Sequence, residues 1–580
     1  MFVKQYTAEG RELLRSGETP WNVYPRPQMR RSSFLNLNGT WEFCVRKMPH
    51  LPEMYDKEIL VPFCPESLLS GLDIEVKPGS NLFYRTHFTL PEGFQKDRVL
   101  LHVGAADQKA EIYVNGRHMC SHTGGYEAFT ADITDGLLEE ENELVIRVFD
   151  NLKDLTLPYG KQTLNRGGMW YTPVSGIWQT VWLESVPTDY ITGLNICCEG
   201  TTVRITAENT NTGVITVHTP HGAEIYPLDH GQAVVAPKNP RLWSPEDPYL
   251  YEFTVETDSD RVDSYFALRT LDIHNVDGIP RLCLNGKPYF FHGLLDQGYW
   301  SDGLFTPAAP ECYERDILMA KEMGFNTLRK HIKVEAEAFY YACDRLGMIV
   351  FQDMVNNGDY AYIRDTVLPT FGKQRSNDVN MHKDTATRRA FISGMEATVR
   401  QLRNHPSIVY WTIFNEGWGQ FDSDSVCRLL RTLDNTRFID STSGWFRRNE
   451  TDVDSRHIYF GPWGQLRASD KPLVLSEFGG HCYAVEDHIF NPEKSYGYKN
   501  CKSPEELQVS LNEVYRIRII PAIKKGLCAA ILTQISDVED EINGLVTYDR
   551  EVLKVDPVRM RAISRQLNAA LFPKEQEAFL

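Results

Sequence analysis

No run of about 20 consecutive apolar residues occurs in the 580-residue chain, so nothing in it reads as a helix spanning a bilayer. The opening stretch MFVKQYTAEGRELLRSG lacks the apolar core of a secretory signal. Twelve cysteines are present but never as C-x-x-C; apart from the adjacent Cys197 and Cys198 they are scattered singly. That spacing suggests neither a disulfide framework nor a zinc site. Reduced thiols and the missing leader together set the expected compartment as the cytoplasm. Positive charge is in deficit, 61 Lys+Arg against 78 Asp+Glu, for a formal charge of −17. A charge of that sign opposes broad attraction to nucleic acid or an anionic membrane. Small or locally recognised partners are expected instead. No low-complexity tract occurs, and no repeat with a period of roughly 20–50 residues.

What the chain does contain is β-rich for its first half. From Phe34 to Val186, runs such as LNGTWEF, NLFYRTHFTLP, AEIYVNGRHM, NELVIRVFD and IWQTVWLESV alternate with turn signals, which predicts a jelly-roll-like sandwich over residues 1–186. Asn115-Gly116 predicts a type I′ hairpin. A second block, residues 187–275, carries ITGLNICCE, TTVRITAEN, GVITVHT and LYEFTVET and ends near the Pro-rich PKNPRLWSPEDPYL. Its size suits an immunoglobulin-like sandwich. From residue 276 to 580 short apolar strands alternate with amphipathic helices. No glycine-rich phosphate loop follows any of these strands, so a (β/α)8 TIM barrel is favoured over a doubly wound sheet. The fold class is thus multidomain, β plus α/β.

Two of the barrel-region strands share a grammar. IVYWTIFNEG runs apolar into Asn415 and Glu416, and PLVLSEFGG runs apolar into Glu477. Reactive groups of an α/β barrel sit where strands give way to loops, so two such glutamates can flank one substrate. Each alone also reads as a solvated or ion-paired residue. Together they suit glycoside hydrolysis, in which one carboxyl protonates the leaving oxygen while the other attacks the sugar or activates water.

YWTIFNEGWGQ resembles the acid/base strand of glycoside hydrolase family 2, and LSEFGG is similar to that family's nucleophile strand. The likeness extends in order through LNGTWEF, FYRTHFTLP, AEIYVNG with HTGGYEAFTADIT, VSGIWQTVWLE, RLWSPEDPYLY and NTLRKHIKVEAEAFYYACDRLGMIVFQDM. The resemblance implies Glu416 as acid/base, Glu477 as nucleophile and Asn415 facing the sugar 2-hydroxyl. It also implies sugar-side roles for His331, His457 and Tyr459. Packing of Trp411, Phe414 and Trp418 around Glu416 is expected to favour its protonated form.

Further candidates follow from position. Arg329 precedes His331 and can orient the nucleophile. His292 and Asp296 end the first barrel strand, Asp537 and Glu539 follow the last, and Trp170 with Tyr171 can send a ring from the sandwich toward the barrel mouth. Lys330, Lys333, Arg447 and Arg448 join Arg329 as cations able to grip a sugar carboxylate. The chain departs from many of the family's β-galactosidases and β-glucuronidases in lacking an acidic residue beside Trp170 and a tryptophan near Thr533-Gln534, and from its β-glucuronidases in lacking their Asn-x-Lys signature after the last strand. Asn500 to Lys502 has those letters in the wrong interval.

The expected function is a retaining exo-β-glycosidase acting on a terminal galactose-like or hexuronic acid residue. It would use no cofactor or metal, and a homo-oligomer is compatible with the reading. A carbohydrate-binding homologue without catalysis, or an enzyme for another glycone such as mannose or glucose, is the alternative. His331 with Glu335 is too little for a metal-dependent hydrolase.

Overall fold

The computed structural model describes residues 2–370, 377–459, 463 and 466–572. Among these, no helix is long and apolar enough to cross a membrane.

The chain begins with the helix Ala8–Ser16, capped by the Thr7 side chain and closed by Gly17 in the left-handed region. This arm is fastened to the barrel, because Asp302 accepts from both the backbone N–H and the hydroxyl of Thr7. The sandwich follows. Its six-stranded sheet centres on Ser80–Phe88 and Asn142–Asp150, and its four-stranded sheet on Arg98–Val103 and Val181–Val186. Alternating residues such as Leu82, Tyr84, Ile112, Ile146 and Leu183 fill the space between them. At the tip of one hairpin Asn115 and Gly116 take φ of 50° and 76°, as a type I′ turn requires.

Seven antiparallel strands from Leu194–Glu199 to Arg261–Phe266 make the immunoglobulin-like unit, with its own apolar core. A buried ion network ties it to the first sandwich: Arg31 reaches Glu184 at 3.1 Å and Asp260 at 2.7 Å. The expected boundary at 275/276 falls inside a hairpin that pairs Leu271–Val276 with Ile279–Leu284.

The barrel strands are β1 Phe291–Asp296, β2 Thr327–Lys330, β3 Ile349–Asp353, β4 Ile408–Asn415, β5 Phe438–Ser443, β6 Asp454–Ile458, β7 Leu473–Gly479 and β8 Leu527–Thr533. All eight lie parallel in the order β5-β4-β3-β2-β1-β8-β7-β6. Nearly every residue on them is buried, which is why they read as continuous apolar runs rather than as alternation. The ladder opens only between β5 and β6, and there the Ser443 hydroxyl and the His457 ring, 2.8 Å apart, cross the seam.

Candidate active site

Asn415 is the last residue of β4, and Glu416 begins the turn that leaves it. The turn is tight. Glu416 takes φ of 52° and Gly417 79°, and Trp418 N–H closes back on the Asn415 carbonyl at 2.9 Å. A side-chain-bearing residue in the left-handed region costs on the order of 1–3 kcal/mol; Glu416 is held there by its own N–H on the Ser443 carbonyl. Glu477 differs from the sequence expectation, since it lies inside β7 rather than at its end. Pairing with β8 skips between Leu475 and Phe478, and a break in register of this kind re-aims a side chain.

The two carboxylates meet. One oxygen of each, together with a ring nitrogen of His457, all lie within 4.8 Å of one another. Among the described residues this is the one trio of His, Cys, Asp or Glu side chains close enough to hold a metal ion. Its atoms are already engaged with each other and with Arg329. His457 Nδ1 is 2.8 Å from Glu416 Oε1 and 3.5 Å from Glu477 Oε2. The Ser443 hydroxyl donates to Ser476, so it accepts from His457 Nε2–H. That leaves Nδ1 as the ring nitrogen that faces the Glu416 carboxyl.

Glu477 is surrounded by donors. Arg329, fully buried at the end of β2, bonds Glu477 Oε1, the Ser476 carbonyl, Asn415 Oδ1 and Asp353 Oδ1, each at 3.0 Å. The Tyr459 hydroxyl donates to Glu477 Oε2 at 2.6 Å. Burial alone would push the Glu477 carboxyl up; His457, Arg329 and His331 beside it, with the Tyr459 hydroxyl, outweigh burial and hold it at about 2. Glu477 is thus ionised at neutral pH. Burial keeps His331 neutral, lowering it despite its bond to Asp353 at 2.8 Å. Asn415 Nδ2 and His331 Nε2 have no hydrogen-bond partner among the described residues, so both are available to a ligand.

Trp170 arrives from the first sandwich and stacks on Trp418 with ring centroids 4.8 Å apart. Tyr171 donates its hydroxyl to Glu541. Other expected residues do not converge on the pair. The His292 ring faces the helical layer, 2.8 Å from the Tyr515 hydroxyl, with burial lowering it to about 3. Asp296 accepts from Lys330 at 2.6 Å and from Gly298 N–H, and Lys330 and Lys333 both bond Glu335, so those cations are spent on a buried network. Asp537 pairs with Lys554 at 2.6 Å beneath the last loop, and Glu539 with Arg166 and the Thr172 N–H. Arg447 pairs with Asp454, the first residue of β6, and Arg448 with Asp424. Trp411 and Phe414 also point away: the Trp411 indole donates to Asp434 and Phe414 stacks on Phe391.

Sequence reasoning missed Asp353, the partner of both Arg329 and His331, although MIVFQD ends its apolar run on a carboxylate as the chosen strands do. It also missed Ser443, Ser476, Glu541 and Lys161, which no local pattern marks.

Three family models match in the order of the three units. Residues 68–161 match the glycosyl hydrolase 2 galactose-binding domain-like model, 198–269 the glycosyl hydrolases family 2 model, and 277–511 the glycosyl hydrolases family 2 TIM barrel domain. The chain belongs to glycoside hydrolase family 2. It is a glycoside hydrolase with that family's three-domain architecture. Among its family 2 relatives, the β-glucuronidase of Chlorocebus aethiops is 26% identical, with 79% of this chain and 77% of that protein covered. A β-galactosidase of Thermoanaerobacter pseudethanolicus is 23% identical over 72% of this chain and 58% of its own length. The solved β-D-glucuronidase of Dictyoglomus thermophilum has the same fold, with a TM-score of 0.71 at 18% identity over 94% of this chain and 98% of that one.

Proposed function

We propose that this chain is a retaining exo-β-glycosidase that removes a terminal β-linked galactose-like or hexuronic acid residue by double displacement. The observation that carries the reading is the close approach of Glu416 and Glu477, with oxygens within 4.8 Å. Retaining pairs lie about 5–5.5 Å apart, whereas inverting pairs lie about 6.5–9.5 Å apart to leave room for water. In this reading Glu477, ionised and fixed by Arg329 and Tyr459, attacks the anomeric carbon. Glu416, in contact with His457 Nδ1, donates a proton to the leaving oxygen, then takes one from the water that opens the glycosyl-enzyme. Asn415, its Oδ1 bound to Arg329, offers its Nδ2 hydrogens to the sugar 2-hydroxyl, a contact that tightens in the transition state. The glycone range draws support from relatives named both β-glucuronidase and β-galactosidase.

The test is a panel of p-nitrophenyl β-glycosides (galactoside, galacturonide, glucuronide, glucoside, mannoside, fucoside) with wild type and Glu477→Gln. Turnover of one sugar, lowered at least about a thousandfold in the variant, is expected. Undiminished turnover in Glu477→Gln would remove the nucleophile assignment.

A further inference from the structure

Among the described residues, the buried and partly buried cations around the barrel mouth are nearly all paired. Arg329 is bound to Glu477 and Asp353, Lys330 to Asp296 and Glu335, Lys333 to Glu335, Lys554 to Asp537, and Arg166 to Glu539 and Asp540, every one of these pairs at 3.2 Å or less. Lys161 is the exception. It is 7% exposed, and among the described residues its ammonium makes no hydrogen bond and no ion pair; its neighbours are the ring of Trp418, 4.6 Å from the nitrogen to the centroid, and that of Trp170 at 5.9 Å. A buried charge without a partner is costly. Burial lowers the Lys161 ammonium, and Glu541, Glu416 and Glu477 are the negative groups whose field reaches it.

The segment carrying Lys161 is rigidly placed. Tyr159 N–H bonds the Asn356 carbonyl at 3.1 Å, the Tyr159 hydroxyl bonds the Gly358 carbonyl at 2.8 Å, and Tyr171 N–H bonds the carbonyl of Lys161 itself at 3.1 Å. Gly160, at φ of 65°, lets the strap pass so close to the barrel that a Cβ there would sit 2.9 Å from the Ile332 carbonyl. The first sandwich thus holds one unpaired ammonium against Trp418, two residues beyond Glu416.

We propose that Lys161 is the residue that recognises the glycone, and that the glycone is a hexuronic acid whose carboxylate it binds. The proposal rests on the glycosidase reading above and narrows it from galactose-like or uronic to uronic. An ammonium on a rigid, nearly dry strap meets a carboxylate in one strong charge-assisted bond, whereas a neutral hydroxymethyl group offers only a weak acceptor. The acidic loop after β8, with its own cations paired, supplies no competing anion receptor among the described residues.

The experiment measures kcat/KM for p-nitrophenyl β-glucuronide and β-galacturonide against the matching glucoside, galactoside and uronide methyl esters, with wild type, Lys161→Met and Lys161→Arg. Calorimetric binding of free glucuronic and galacturonic acid is measured beside it. Wild type should prefer one uronide over its methyl ester by about 100-fold. Lys161→Met should collapse that ratio, mainly through KM, and Lys161→Arg should restore part of it. A neutral glycoside preferred by the wild type, or an acid-to-ester ratio unchanged in Lys161→Met, would overturn the assignment while leaving the glycosidase reading intact. If no aryl glycoside turns over, the glycosidase reading fails instead. Binding of uronic acids then decides the role of Lys161: affinity lost in Lys161→Met supports it, and equal affinity in the variant overturns it.

Discussion

Replacing Arg329 with methionine should move the acid limb of the pH profile. The guanidinium is buried, and its four bonds of 3.0 Å run to Glu477, Ser476, Asn415 and Asp353. Methionine keeps most of the stem and removes the charge, stranding two buried carboxylates. Breaking a buried pair from one side costs about 3–5 kcal/mol. The drop of Glu477 from an ordinary 4.5 to about 2 is by itself worth on the order of 3 kcal/mol. Its sign follows from linkage: the folded value is the lower one, so the stabilisation is present above about pH 4.5 and is lost as pH falls through about 2. In Arg329→Met only His457, His331 and Tyr459 oppose burial, and the Glu477 carboxyl rises. With the nucleophile required in its ionised form, kcat/KM of the wild type should be insensitive to Glu477 from neutrality down to about pH 4, while in the variant it should already fall below about pH 6. Its plateau should also drop by about 100-fold or more. Arg329→Lys, which restores charge without the fork, should recover only part. The assay is kcat/KM from pH 3 to 8 on the best aryl glycoside, bounded by circular dichroism to exclude unfolding. An acid limb that does not move in Arg329→Met would refute the reasoning.

Other outcomes follow from the same contacts. Tyr459→Phe removes the hydroxyl that donates to Glu477 Oε2; kcat should fall about 10–100-fold, and a change within threefold in steady-state assays would mean the bond is incidental. Arg31→Met breaks the junction of the two sandwiches at Glu184 and Asp260 and should cost about 3–5 kcal/mol in urea unfolding at pH 7. Burial raises Glu184, but Arg26, His102 and Arg31 together hold it well below the usual carboxylate range. That part of the stability is present above about pH 4.5 and fades as pH falls. The gap between wild type and Arg31→Met should therefore narrow at pH 3, and a gap that widens there would contradict the assignment.

The barrel and its two glutamates were legible because strands buried on both faces read as unbroken apolar runs, and a carboxylate at the end of such a run stands out. Asp353 shows the limit of that signal: it ends the same kind of run, yet its role as the brace of Arg329 and His331 depends on neighbours brought in by β2. His292 shows another. Whether a strand residue faces the barrel interior or the helices turns on a shift of one residue, and nothing local marks which side His292 takes; its ring ends against Tyr515. Asp537 and Arg447 sit in loops whose partners, Lys554 and Asp454, decide their direction. Lys161 belongs to a different domain from the strands it faces, and only the docking of that domain brings it to Trp418.

The central claim is that Glu477 becomes covalently attached to the sugar. Incubation with a 2-deoxy-2-fluoro glycosyl fluoride of the best glycone, followed by intact-mass and peptide mass spectrometry, tests it directly. The account predicts one added glycosyl mass on the peptide containing Glu477, absent in Glu477→Gln, with the β-anomer as the first product of ordinary turnover by NMR. A label on any other residue, or the α-anomer formed first, would contradict it.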